Sequence, residues 1–211
     1  MKNLLFTICL VFVAFAATFA QDQTLFGSNK VTGGFGAPIF EYSTVDGDFG
    51  TATGGGGAVV LQNFFLGGFG MGGNFGNKTI DNVRYRTELG YGGLWLGYVY
   101  PTEKLIHLYS SVKLGWGGAS LDPRDEERDQ ETISDAIFVV TPELGIELNV
   151  FNWFRIEGTA GYRVVGGLEG LPQLSNEDFS NFNFGLTLRF GKFTNRDKSG
   201  YDDDDDDEDD N

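Results

Sequence analysis

The chain has 211 residues, enough for one domain and not comfortably for two. Its formal net charge of −15 overstates the acidity of the body, because nine of the thirty acids fall in DDDDDDEDD at 202–210, and no basic surface suited to nucleic acid is expected. Glycine (32) and aromatics (20 Phe, 8 Tyr, 3 Trp) are abundant, while the single cysteine, Cys9, lies in an N-terminal apolar run, so a processed chain has neither disulfides nor thiol chemistry.

The first element is MKNLLFTICLVFVAFAATFA. Lys2, the apolar run and small residues at Thr18 and Ala20 read as a secretory signal peptide over 1–20, with 21–30 as a lead-in. No later segment approaches the ~18 consecutive apolar residues of a membrane helix. Eight alternating or apolar segments follow, at 31–43, 51–62, 64–76, 82–99, 104–119, 135–149, 151–165 and 180–193, separated by turn signals. No amphipathic helix is expected. In the last segment, NFNFGLTLRFGKF, Phe182, Phe184, Leu186, Leu188 and Phe190 alternate with Asn181, Asn183, Gly185, Thr187 and Arg189, the period of a strand with one oily and one polar face. Residues 194–211 read as a disordered acidic tail.

The connections alternate in length. Those after the second, fourth and sixth segments are short (Gln62–Asn63, YPTEK, VFN), whereas LDPRDEERDQETISD and GLEGLPQLSNEDF, after the fifth and seventh, are long and polar. Short turns at one end and longer loops at the other are the asymmetry of an outer-membrane barrel, and with the N-terminus in the periplasm every short turn falls on that side.

The faces separate as cleanly. The oily rows are Val83, Tyr85, Thr87, Leu89, Tyr91, Trp95 and Val99 in the fourth segment, and Ile106, Leu108, Val112, Leu114 and Trp116 in the fifth. They continue with Phe138, Val140, Leu144, Ile146 and Leu148, then Phe154, Ile156, Ala160 and Tyr162. The opposite rows hold Arg84, Arg86, Glu88, His107, Lys113, Glu143, Glu147, Arg155, Glu157, Arg163 and Arg189, read as a structural charge network filling a lumen. An Arg or Lys on the lipid side at the bilayer midplane costs ~2–4 kcal/mol, which would enforce such segregation. Gly68, Gly70, Gly72, Gly90, Gly92, Gly115, Gly117, Gly145, Gly161 and Gly185 are placed on the polar, inward side, where small residues leave room for long ones. Gly67, Gly93 and Gly97 fall on the oily side without a sequence-level reason. Phe64, Phe65, Tyr98, Tyr100, Phe151, Trp153, Phe154, Phe190 and Phe193 gather at one level, as membrane-interface rings do, and Phe75, Trp116, Phe138 and Phe179 form a looser set at the other.

On these features, residues 31–193 resemble the small eight-stranded outer-membrane β-barrels of Gram-negative bacteria, a likeness of architecture without a diagnostic motif. It implies an all-β, antiparallel, up-and-down transmembrane barrel of eight strands, monomeric, in the outer membrane, with outer-membrane lipid and the assembly machinery as partners. FGLTLRFGKF is similar to the terminal strand that this machinery recognises, with Phe190 or Phe193 as the signal, although eighteen residues follow it.

Some barrels of this class are lipid-modifying hydrolases with His and Ser two apart on one strand. Here Ser111 shares the face of His107 four residues away, so no catalytic residue is assigned. Glu143, Glu147 and Glu157 are better read as partners of the arginines than as an acid–base pair. GGFGMGGNFG is followed by no helix and is not a nucleotide loop. No cofactor or metal is expected. The expected role is non-enzymatic: envelope structure, or surface interaction through loops 120–134 and 166–180. The alternatives are a soluble exported barrel or sandwich binding a small apolar ligand, and an outer-membrane lipid hydrolase.

Overall fold

A computed structural model describes residues 31–80, 83–100, 105–124 and 132–193. The expected signal peptide, lead-in and acidic tail lie outside the described residues. Eight strands form: β1 (Val31–Val45), β2 (Asp48–Leu61), β3 (Phe64–Ile80), β4 (Val83–Val99), β5 (Ile106–Pro123), β6 (Ile133–Phe151), β7 (Phe154–Gly166) and β8 (Asn181–Phe193). Each pairs antiparallel with its sequence neighbour, and β8 pairs with β1, closing the barrel and leaving no free edge. One hydrogen-bonded row runs Gly33, Val60, Phe65, Gly97, Ser111, Glu143, Gly161, Asn183 and returns to β1 at Ser43, ten residues above its start. A stagger of ten over eight strands tilts them by roughly 40° and leaves an interior that side chains can fill.

The upper ends depart from expectation in two ways. Strands run further than alternation suggested, so β1 and β2 stay paired out to Val45 and Asp48, and β3 and β4 out to Ile80 and Val83. Between β1 and β2, Asp46 and Gly47 both take left-handed backbone (φ 51° and 81°), as a two-residue turn matching strand twist requires. The second departure is one helical turn, α1 (Asn176–Phe179), between β7 and β8, with the Ser175 N–H donating to the Asp178 carboxylate at 2.7 Å. The connection carrying α1 folds over the barrel mouth: Leu168, Leu171, Leu174 and Phe179 are buried in the same apolar cluster as Val45, Phe75, Ile80 and Val83.

The side-chain rows also divide the barrel. On β5 to β8 the oily rows face outward, as read from the sequence. On β3 and β4 the orientation is reversed. Phe65, Phe69, Met71 and Phe75 on β3, and Val83, Tyr85, Thr87, Leu89, Tyr91 and Trp95 on β4, are buried inside. Gly68, Gly70, Gly72 and Gly90 are exposed on the outer wall, with Gly92 in the same outward row, so the inward placement of these five is corrected, while Gly115, Gly117, Gly145, Gly161 and Gly185 do lie inward. The reason is volume. β5 to β8 send long charged side chains across the lumen, and rings from β1, β3 and β4 fill the space facing them. Inward placement also explains Gly67, Gly93 and Gly97: an added Cβ would strike the Gly57 carbonyl, the Leu114 carbonyl and the Phe65 ring respectively.

Candidate functional site: the filled lumen and the outer wall

Among the described residues, four carboxylates and four cations meet inside, each cation in at least one ion pair. In the lower half, Glu147 accepts from Arg155 Nη1 at 2.6 Å and from Arg189 Nη1 at 2.7 Å, and Arg189 Nη2 lies 2.6 Å from Glu157 Oε2. Beside them Glu143 accepts from Lys113 Nζ and Ser111 Oγ, both at 2.7 Å. In the upper half, Arg163 donates to Glu41 Oε1 and the Phe179 carbonyl, each at 3.0 Å, and to Ser43 Oγ at 3.2 Å. Charges this far from water are tolerable only when paired and hydrogen-bonded.

The aromatic half completes the cations. The Arg189 guanidinium carbon sits 4.5 Å from the ring centroids of Phe35 and Tyr109, 4.8 Å from Phe65 and 5.3 Å from Trp95. Arg155 stacks on Phe193 at 3.8 Å, and Arg163 lies 5.1 Å from Phe75. A desolvated guanidinium over a ring gains ~2 kcal/mol from the ring's negative face. The lumen is thus a wall of ion pairs pressed against a largely aromatic one.

Of the charges expected inside, Lys113, Glu143, Glu147, Arg155, Glu157, Arg163 and Arg189 are there, and so is His107, whose Nε2 lies 2.5 Å from Asn149 Nδ2. Arg84, Arg86 and Glu88 are not. They follow one another along the outer face at the upper end of β4, with Arg86 Nη1 3.6 Å from Glu88. The oily row opposite them, expected on the outer wall, is the interior. Glu41, not among the charges expected inside, is the partner of Arg163; its signal in the sequence is an acid in the same odd row as Phe35, Ala37 and Ile39. Ser111 and His107 face inward and bond to different partners, Glu143 and Asn149.

Of the expected lower aromatic ring, Phe64, Tyr100, Phe151, Trp153 and Phe190 are exposed, Tyr98 packs on Phe64 at 4.7 Å and Phe154 on Phe190 at 4.9 Å. Phe65 and Phe193 are corrections: odd positions on β3 and β8, they share the inward rows of Phe69 and Arg189 and pack around Phe35 at 5.4 and 6.1 Å. The upper set changes as well. Phe75 and Phe179 are buried, and among the described residues the exposed rings near the upper ends are Tyr42, Phe49, Trp116, Phe138, Tyr162, Phe182 and Phe184. Between the two levels the outer wall of β5 to β8 is apolar, with Leu144 70% exposed and Ile146 55%.

The fold is that of the small eight-stranded, up-and-down barrels found in outer membranes. Among solved structures the chain is similar to Neisserial surface protein A, with a TM-score of 0.54 and 10% identity over 77% of this chain and 96% of that one. It is also similar to Ail, the attachment invasion locus protein of Yersinia pestis, with a TM-score of 0.49 and 12% identity over 77% and 99% of the two chains. No protein-family model and no curated protein matches the sequence.

Proposed function

We propose that this chain is a non-enzymatic barrel of a Gram-negative outer membrane, its lumen sealed, acting in envelope structure or surface contact through its upper loops. The observation that carries the reading is the outer wall of β5 to β8, with exposed leucine, isoleucine and phenylalanine between rings at both levels, while the ion pairs are buried inside. Water penalises such a surface and hydrocarbon does not. A packed interior leaves no room for a small apolar ligand, which weighs against the soluble alternative, and interior pairing of Ser111 with Glu143 weighs against hydrolysis. Of the two surface loops, 166–180 turns its apolar side chains into the mouth and leaves Glu169, Gln173, Ser175 and Glu177 outside; its partner chemistry is therefore polar. Membrane fractionation tests the reading. The mature protein is expected to stay with membranes through high-salt washing and to shift in gel mobility on heating. Release by osmotic shock without detergent would refute it.

A further inference from the structure

The exposed rings at the upper level come from β1, β2, β5, β6, β7 and β8. β3 and β4 contribute glycine instead, and Gly72 and Gly90 are directly paired, with Gly118 of β5 next in the row. The row above is polar: Asn74 pairs with Glu88, Glu88 with Ser120, and Ser120 with Ser134. These two rows line a groove of about 460 Å³. Its residues all come from four adjacent strands, β3 to β6, with none from the opposite wall, so it opens on the outside of the barrel.

Internal packing does not require glycine at two of the three floor positions, whereas a Cβ on Gly118 would lie 3.3 Å from the Asp135 carbonyl. A Cβ on Gly72 would come no nearer than 3.8 Å to other atoms, and one on Gly90 no nearer than 3.9 Å. We infer that the groove receives the saccharide headgroup of a membrane glycolipid, an inference that rests on the membrane reading above. The chemistry is that of a sugar site. Asn74 can donate and accept, Ser120 and Ser134 offer hydroxyls, and the Glu88 carboxylate, beside Arg86, accepts from sugar hydroxyls. Trp116 lies on the same face one row beneath Gly118, where an indole suits the C–H face of a sugar ring. The volume falls within the range of ligand sites, ~300–1,000 Å³. Position selects a lipid-borne sugar over a free one, since the groove interrupts a ring of exposed aromatics and stands directly above the apolar wall.

The test uses the whole protein in phosphatidylethanolamine vesicles containing a minority of diglucosyl diacylglycerol, with insertion read by heat-modifiable mobility and retained lipid by native mass spectrometry. The wild type is expected to retain the glycolipid over the phospholipid by on the order of tenfold. Gly90→Leu, which fills the groove without touching the interior, and Asn74→Ala should insert normally and lose that preference. Equal retention of both lipids by an inserted wild type, or an undiminished preference in Gly90→Leu, overturns the inference while leaving the membrane reading intact. Displacement by soluble diglucoside at matched concentration overturns the lipid-borne assignment. Failure to insert overturns both.

Discussion

Replacing Arg189 by methionine tests the interior at its most connected point. Arg189 reaches Glu147 at 2.7 Å and Glu157 at 2.6 Å inside four aromatic rings. Without it Glu147 keeps Arg155, but Glu157 loses its ion-pair partner among the described residues and stays buried. Removing one member of a buried pair costs ~3–5 kcal/mol, largely through the stranded charge. Loss of the ring contacts adds up to ~2 kcal/mol, partly offset by ~1 kcal/mol of methionine sulfur against the same rings. The double change Arg189→Met with Glu157→Gln removes the stranded charge and should recover at least ~2 kcal/mol of the loss. Urea unfolding in phospholipid vesicles, followed by tryptophan fluorescence and gel mobility, measures both. A loss below ~1 kcal/mol for the single variant, or a double variant no more stable than the single, refutes the account of the lumen as a mutually paired assembly.

Three further outcomes are expected. Leu144→Arg, on the exposed wall of β6, should lower stability in vesicles by ~2–4 kcal/mol, whereas Glu88→Arg, at the outer end of β4, should change it by less than ~1 kcal/mol; the same unfolding assay reads both. Gly93→Ala places a Cβ against the Leu114 carbonyl and should cost ~1–3 kcal/mol or prevent folding, seen as loss of the heat-modifiable band, while Gly70→Ala, with nothing within 4 Å, should fold as wild type. Asp135→Ala removes the carboxylate that accepts from the Glu169 and Gly170 N–H groups at 2.6 Å, and should speed proteolytic cleavage in 167–175 several-fold with the barrel band unchanged.

Period-two alternation placed all eight strands, because barrel closure demands little more of each strand than two distinguishable faces. Which face looks inward was legible on β5 to β8, where charge alternates with leucine and phenylalanine. It was misread on β3 and β4, because oiliness was equated with lipid contact. An interior this narrow needs bulk as well as polarity, and rings on one wall supply what arginines on the other require. The hint was present in Tyr85, Thr87 and Tyr91, whose hydroxyls suit an interior better than hydrocarbon, and in Arg84, Arg86 and Glu88, which crowd the strand end where an outward charge clears the apolar belt. The fold of 166–180 over the mouth was not legible. Its leucines are spaced irregularly, and the groups that hold it, Asp46, Lys78 and Asp135, lie on β6 and on the β1–β2 and β3–β4 hairpins, far away in sequence.

The division of the lumen bears on how the cylinder comes together. The rings that surround Arg189 reside mostly in the first half of the chain, on β1, β3 and β4, whereas the guanidinium arrives on the final strand, which also zips against the first. The ion pairs of Arg189 lie within β5 to β8, but most of its rings belong to the first half, so sealing the seam and seating that charge among its rings are one event, and a chain stopped before its last strand lacks the keystone for which its early hairpins are shaped.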